Sequence, residues 1–152
     1  MYPLSKKCIA STLTEQKWKI LCQIKPDGNI KNESVDVVAV IDTSRSMKGE
    51  KLNNIKKGIQ YLLNNLNQND RLSLIQFNQV SKRLTPLIKM TQSGKDKILS
   101  ALNKVNCEKI TNTSSGLITA SQVIHSRRYT SSKPCVMLFS DGANRAAISN
   151  CQ

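Results

Sequence analysis

Aromatic residues are scarce, at 4% of 152 residues, so whatever core this chain builds must be aliphatic. No apolar run approaches the roughly 20 residues that a membrane-spanning helix requires. The longest are Val37 to Ile41 and Cys135 to Phe139, and no transmembrane helix is expected. Met1 to Cys8 carries Lys6 and Lys7 without the apolar stretch of a secretory signal behind it. The five cysteines (Cys8, Cys22, Cys107, Cys135, Cys151) are odd in number, widely spaced and form no CxxC pair. That pattern argues against a disulfide framework and against a zinc site. They read as reduced thiols, Cys135 as a small buried hydrophobe in a strand, and the chain reads as cytoplasmic.

Acidic residues are also few, 10 against 23 lysines and arginines, for a net charge of +13. Such a surplus speeds encounter with acidic partners and invites nonspecific contact with nucleic acid or anionic lipid. The lysines are scattered, however, and the densest groups (Lys6-Lys7, Lys56-Lys57, Lys95/Lys97, Arg127-Arg128) never make a run of five or six like charges. Most of them read as solvated faces. With few aromatics for stacking and no recognition motif, no specific nucleic acid is expected as a partner. A basic nucleic-acid- or anionic-surface-binding module stands as the alternative reading. Catalysis finds little footing. No glycine-rich nucleotide loop is present, and the one histidine, His125, falls late in a helical pattern beside Arg127-Arg128 as an exposed residue.

What the sequence does contain is an alternation of strand and helix. Trp18 to Lys25 alternates in polarity and ends at Pro26-Asp27-Gly28-Asn29, a short peripheral strand closed by a turn. Val35 to Ile41 is β-branched and apolar apart from Asp36, as a central strand covered on both faces would be. Lys51 to Leu66 sets Leu52, Ile55, Ile59, Leu62, Leu63 and Leu66 on one helical stripe. Arg71 to Phe77 predicts a second strand, and the short link to a third, about Val80 to Leu84, forces antiparallel pairing. A helix from Ser93-Gly94-Lys95 buries Ile98, Leu102 and Val105. A third, Ser114 to His125, carries Leu117, Ile118, Ala120 and Ile124, and Pro134 to Phe139 is a last buried strand. This is the pattern of a doubly wound α/β fold, Rossmann-like, with a mainly parallel sheet and one antiparallel edge strand.

Two buried strands end alike, one in Asp42-Thr43-Ser44-Arg45-Ser46 and the other in Ser140-Asp141-Gly142. In open α/β sheets ligands bind outside the carboxyl edges of the strands, so both aspartates can meet in one crevice. Two bare carboxylates there would repel, and a hard divalent cation resolves the repulsion with Ser44 and Ser46 as further oxygen ligands. An all-oxygen set suits Mg²⁺ or Mn²⁺ and disfavours zinc.

Asp42-Thr43-Ser44-Arg45-Ser46 resembles the Asp-x-Ser-x-Ser signature of the metal ion-dependent adhesion site of von Willebrand factor type A domains. Asn69 to Phe77 looks like that family's second strand, Thr111 to Leu117 like its threonine loop, and Phe139 to Gly142 like its fourth strand and aspartate. The similarity spans about residues 18 to 145, giving an N-terminal extension at 1–17 and the domain at 18–152. The resemblance implies that Ser44 and Ser46 coordinate the ion directly while Asp42 acts through water and orients the serines. Thr111 would be the switchable ligand, and Asp141 would bind directly or through water. A sixth position is left for an acidic side chain of a partner protein. Arg45 stands where glycine is common, as a solvated arginine or a contact to that partner. Ile110 replaces the glycine before Thr111, which makes Thr113 the alternative ligand. The chain ends ten residues after Gly142, short of the family's last strands and helices, so the sheet is expected to be incomplete at the C-terminus. Its fourth strand would be an exposed edge open to pairing, completed by a partner unless the chain is a fragment. Val35 to Asn144 looks most like the intracellular and inter-α-trypsin-inhibitor-like branches, which include ubiquitin ligases. The expected function is a non-enzymatic, metal-dependent protein-interaction module, with an idle truncated scaffold as a further alternative.

Overall fold

The structure, a computed structural model, describes residues 34–78, 80–107 and 113–142. The strand expected at Trp18 to Lys25, the boundary at residue 17 and the loop residue Thr111 lie outside the described residues.

The sheet is built around β1 (Val35–Asp42), as its unbroken apolar run requires. The chain continues through a 3-10 turn (Arg45–Met47) into α1 (Glu50–Asn65), then β2 (Arg71–Phe77), β3 (Ser81–Arg83), β4 (Ile88–Lys89), α2 (Gln92–Asn103), α3 (Thr113–His125) and β5 (Lys133–Phe139). Strand order is β3-β2-β1-β5, with β4 also paired to β2. β1 lies parallel to β2 (Val38 opposite Ser73) and to β5 (Val38 opposite Val136), whereas β3 and β4 run antiparallel to β2. The doubly wound, mainly parallel fold is as the sequence predicts. β4, two residues long, was not expected; it is too short to show a period.

Because side chains alternate along a strand, β1 feeds two cores. Val37, Ala39 and Ile41 pack with Leu52, Ile59 and Leu63 of α1 and Ile98 and Leu102 of α2. Val38 and Val40 pack on the other face with Ile75, Phe77, Ala120 and Val123, the last two from α3. The sheet is thus covered by helices on both faces, which is why β1 tolerates almost no polar residue.

Two expectations need correction. α3 does not bury Leu117 and Ile118, which are 43% and 58% exposed. Its buried stripe is Gly116, Ala120 and Val123. Gly116 anchors that stripe because a Cβ there would stand 2.6 Å from the Phe77 ring and 2.9 Å from Val40, so only glycine lets the helix approach so closely. β5, expected to be buried, is only half covered, with Val136 and Leu138 at 44% and 40% exposure. The reason is lateral: α3 lies over β1 and β2, and among the described residues no strand pairs with β5 on its far side.

At the amino edge of the sheet, Asp36 is fully buried yet ionised. The Arg71 guanidinium donates Nε and Nη2 bonds to its two oxygens at 2.6 Å each, and Arg127 adds a third at 2.9 Å. Burial by itself pushes this carboxyl up, but the hydrogen bonds and charges of the two arginines together outweigh it and hold the carboxyl below the usual range. Arg127, expected on a solvated face, is therefore part of a buried ion network, tied also to the carbonyls of Ile124 and Ser132.

Candidate functional site

The carboxyl edge is built differently. β1 carries Asp42 to the end of the sheet at 1% exposure. There Thr43 locks the strand end to β2, both its N–H (2.9 Å) and its hydroxyl (3.0 Å) donating to the Phe77 carbonyl. The chain then turns sharply, and Oδ1 of Asp42 accepts the N–H of Ser44 at 2.8 Å. That bond bends the loop so that the Ser44 and Ser46 hydroxyls lie 3.0 Å apart. Ser44 is buried, while Arg45 and Ser46 face solvent. Gly49, at φ +85°, takes the left-handed conformation that swings the chain from this loop into α1, a conformation side-chain-bearing residues rarely adopt.

From the neighbouring strand, β5 brings Ser140 and Asp141 to the same edge. The Ser140 hydroxyl donates to Oδ2 of Asp42 at 2.8 Å and accepts the Gly142 N–H at 3.2 Å. Asp141, its side chain 7% exposed, accepts a 2.7 Å salt bridge from Lys51 in the first turn of α1.

Of the predicted site residues, the structure gathers Asp42, Ser44 and Ser46 into one cluster and sets Asp141 next to it through Ser140. Arg45 stands exposed beside the cluster. Thr111 lies outside the described residues, and Thr113 opens α3 without its side chain being described. Sequence reasoning missed three contributors. Ser140 is legible in retrospect, since β1 and β5 end at the same level with Ile41 opposite Phe139. Lys51 gives no such signal. Cys107, just after α2, lies close enough to feel Asp42: burial pushes its thiol up and the Asp42 charge adds to this, with Lys56 and Lys48 opposing.

The donor set decides which ion the edge suits. Among the described residues no three His, Cys, Asp or Glu side chains gather as a metal site, so any ion here relies on hydroxyls as well as carboxylates. Oxygen ligands at about 2.0–2.1 Å from an octahedral Mg²⁺ sit about 2.9 Å apart when adjacent, close to the 3.0 Å between the two serine hydroxyls. The residues present fit a small hard cation.

A mainly parallel sheet sandwiched by helices, with a hydroxyl and carboxylate cluster at its carboxyl edge, defines a Rossmann-like α/β domain. Residues 37–144 match the sequence profile of the von Willebrand factor type A domain, and the chain belongs to that family. A von Willebrand factor type A protein from Catenulispora acidiphila shares the fold, with a TM-score of 0.59 at 14% identity over 62% of this chain and 24% of its own. Among curated proteins, the chain is 35% identical over 109 residues to the E3 ubiquitin-protein ligase WAV3 of Arabidopsis thaliana, covering 71% of this chain and 15% of that protein. It is 44% identical over 68 residues to the E3 ubiquitin-protein ligase WAVH1 of the same plant, covering 45% of this chain and 10% of the relative. The chain thus spans a small part of each relative's length.

These relatives correct the expectation of a non-enzymatic protein, since both are named as ligases, an enzyme class. The expectation failed because it weighed only the chemistry that two carboxylates and one histidine could perform by themselves. An enzyme's name belongs to its whole chain, and the matched segment is 15% of WAV3. Among the described residues no helix is long and apolar enough to cross a membrane.

Proposed function

We propose that this domain serves a ubiquitin-protein ligase function by binding a partner protein, its substrate among the candidates, through a divalent ion held at the carboxyl edge of the sheet. Ser44, Ser46 and Asp141 would hold Mg²⁺ or Mn²⁺, Asp42 would orient the serines, and Thr111 would complete the set. The ion, when bound, supplies a Lewis-acidic position for a carboxylate of the partner. This chain's own residues do the rest: the Asp42 carboxylate fixes the loop through the Ser44 N–H, Ser140 fixes Asp42, and Arg45 and Lys48, exposed on the same loop, favour an acidic partner. Reduced thiols and a cytoplasmic setting go with this reading, and Cys107 is a free thiol.

The observation that carries it is the buried Asp42 with two serine hydroxyls 3.0 Å apart beside it, all oxygen and all at one strand end. The test is a calorimetric titration of Mg²⁺ and Mn²⁺ into chelator-treated protein, with Asp42→Ala as control. Saturable one-site binding that Asp42→Ala removes is expected, together with capture of acidic peptides that chelator abolishes. Binding through the general positive charge would instead ignore chelator and weaken steeply with salt. No ion uptake by a folded wild-type protein would leave the fold as an idle scaffold and overturn the proposal.

A further inference from the structure

Asp141, the second carboxylate of the proposed ion site, is already held by a cation. Lys51 Nζ lies 2.7 Å from Oδ2 of Asp141, whose side chain is 7% exposed, while half of the lysine side chain remains in solvent. Lys51 sits in the first turn of α1, where the positive end of the helix dipole disfavours a basic residue. The helix gains nothing from a lysine there, and the contact with Asp141 is what offsets the placement.

We infer that Lys51 is a resident counter-ion that competes with the divalent ion for Asp141. The inference rests on the proposed metal site. Two carboxylates, Asp42 at 1% and Asp141 at 7% exposure, end neighbouring strands, and leaving both uncompensated without metal would be costly. The Lys51 ammonium neutralises one of them, so the fold tolerates the metal-free state. Its long flexible stem and exposed half let it withdraw into water without moving α1. When the divalent ion takes Asp141, the ammonium leaves, and the cost of breaking the pair is subtracted from metal affinity. The site is thereby set to bind its ion weakly and reversibly.

The test compares wild type with Lys51→Met, which keeps most of the stem and removes the charge, and Lys51→Arg, which keeps the charge. Lys57→Met serves as control because it removes an exposed lysine from the same helix without touching that ion pair. Mg²⁺ affinity is read by calorimetry at fixed ionic strength, and thermal melting is read with chelator and with saturating Mg²⁺. Lys51→Met should bind Mg²⁺ about three- to tenfold more tightly, the range a part-buried ion pair supports. Its melting point should fall in chelator and rise more on adding metal than that of wild type. Lys51→Arg should stay near wild type, and Lys57→Met should shift affinity by less than twofold. Equal affinity in wild type and Lys51→Met, or an equal gain in Lys57→Met, overturns the inference and leaves the metal site standing. Absence of binding in every variant and in wild type overturns both.

Discussion

One strand carries two buried aspartates, and they live in opposite surroundings. Asp36, near the amino end of β1, is closed in by Arg71 and Arg127 with three hydrogen bonds of 2.6 to 2.9 Å. Asp42, at the carboxyl end, accepts side-chain hydrogen bonds among the described residues only from neutral donors, the Ser44 N–H and the Ser140 hydroxyl, and no salt bridge among them reaches it. A buried carboxylate with fixed cationic partners is a structural joint, here fastening β1 to β2 and to the loop after α3. A buried carboxylate surrounded by neutral oxygens and N–H groups is a place where a mobile cation can complete the charge balance. Similar burial of the same residue type therefore yields a rivet at one end of the strand and a candidate site at the other.

The same substitution at the two ends should separate the roles. Asp36→Asn leaves Arg71 and Arg127 charged, with side chains 12% and 9% exposed and no counter-ion, and should cost about 3–5 kcal/mol. Asp42→Asn removes no ion pair and should cost about 1 kcal/mol in chelator, the worth of a weakened hydrogen bond. Urea unfolding of both variants measures the gap, and equal losses would erase the contrast. Acid sharpens it. Asp36 titrates below its unfolded value of about 3.9, so the stability it contributes is complete above that value and is lost as pH falls through the folded pKa. The gap between wild type and Asp36→Asn should hold from pH 7 to about 5 and narrow below about 4. A gap that stays constant down to pH 3 would show that the network does not depend on the ionised carboxylate.

The two ends were also unequally legible. Asp42 announces itself because its strand run stops there and two serines follow at a two-residue spacing, a local pattern that needs no tertiary information. Asp36 is visible only as an exception in an apolar run. Arg71, its register partner across β1 and β2, could be placed opposite once the strands were paired. Arg127 could not, because it is 91 residues away and reaches Asp36 through the path of the chain after α3. The α1 stripe was read correctly since its period is long and strong. The buried face of α3 was misread because a glycine, Gly116, takes the position where an apolar side chain would be sought. Lys51 escaped for a related reason: its partner, Asp141, is brought to it only when β5 lies beside β1.

The smallest expected effect tests whether the carboxyl edge is organised for an ion or merely hydrogen-bonded. Ser140 touches Asp42 and the Gly142 N–H but is not itself among the proposed ligands. Ser140→Ala should lower stability in chelator by only about 1 kcal/mol, far less than Asp36→Asn. Its effect on the ion should be larger in proportion, because a partner that fixes a metal-orienting carboxylate typically alters affinity by about 10–100-fold when removed. We expect the lower end, about tenfold weaker Mg²⁺ uptake, since Oδ1 of Asp42 keeps the Ser44 N–H and the loop keeps its bend. A variant that loses stability with unchanged ion affinity would mark Ser140 as a second rivet, and the two ends of β1 would then differ less than their charges suggest.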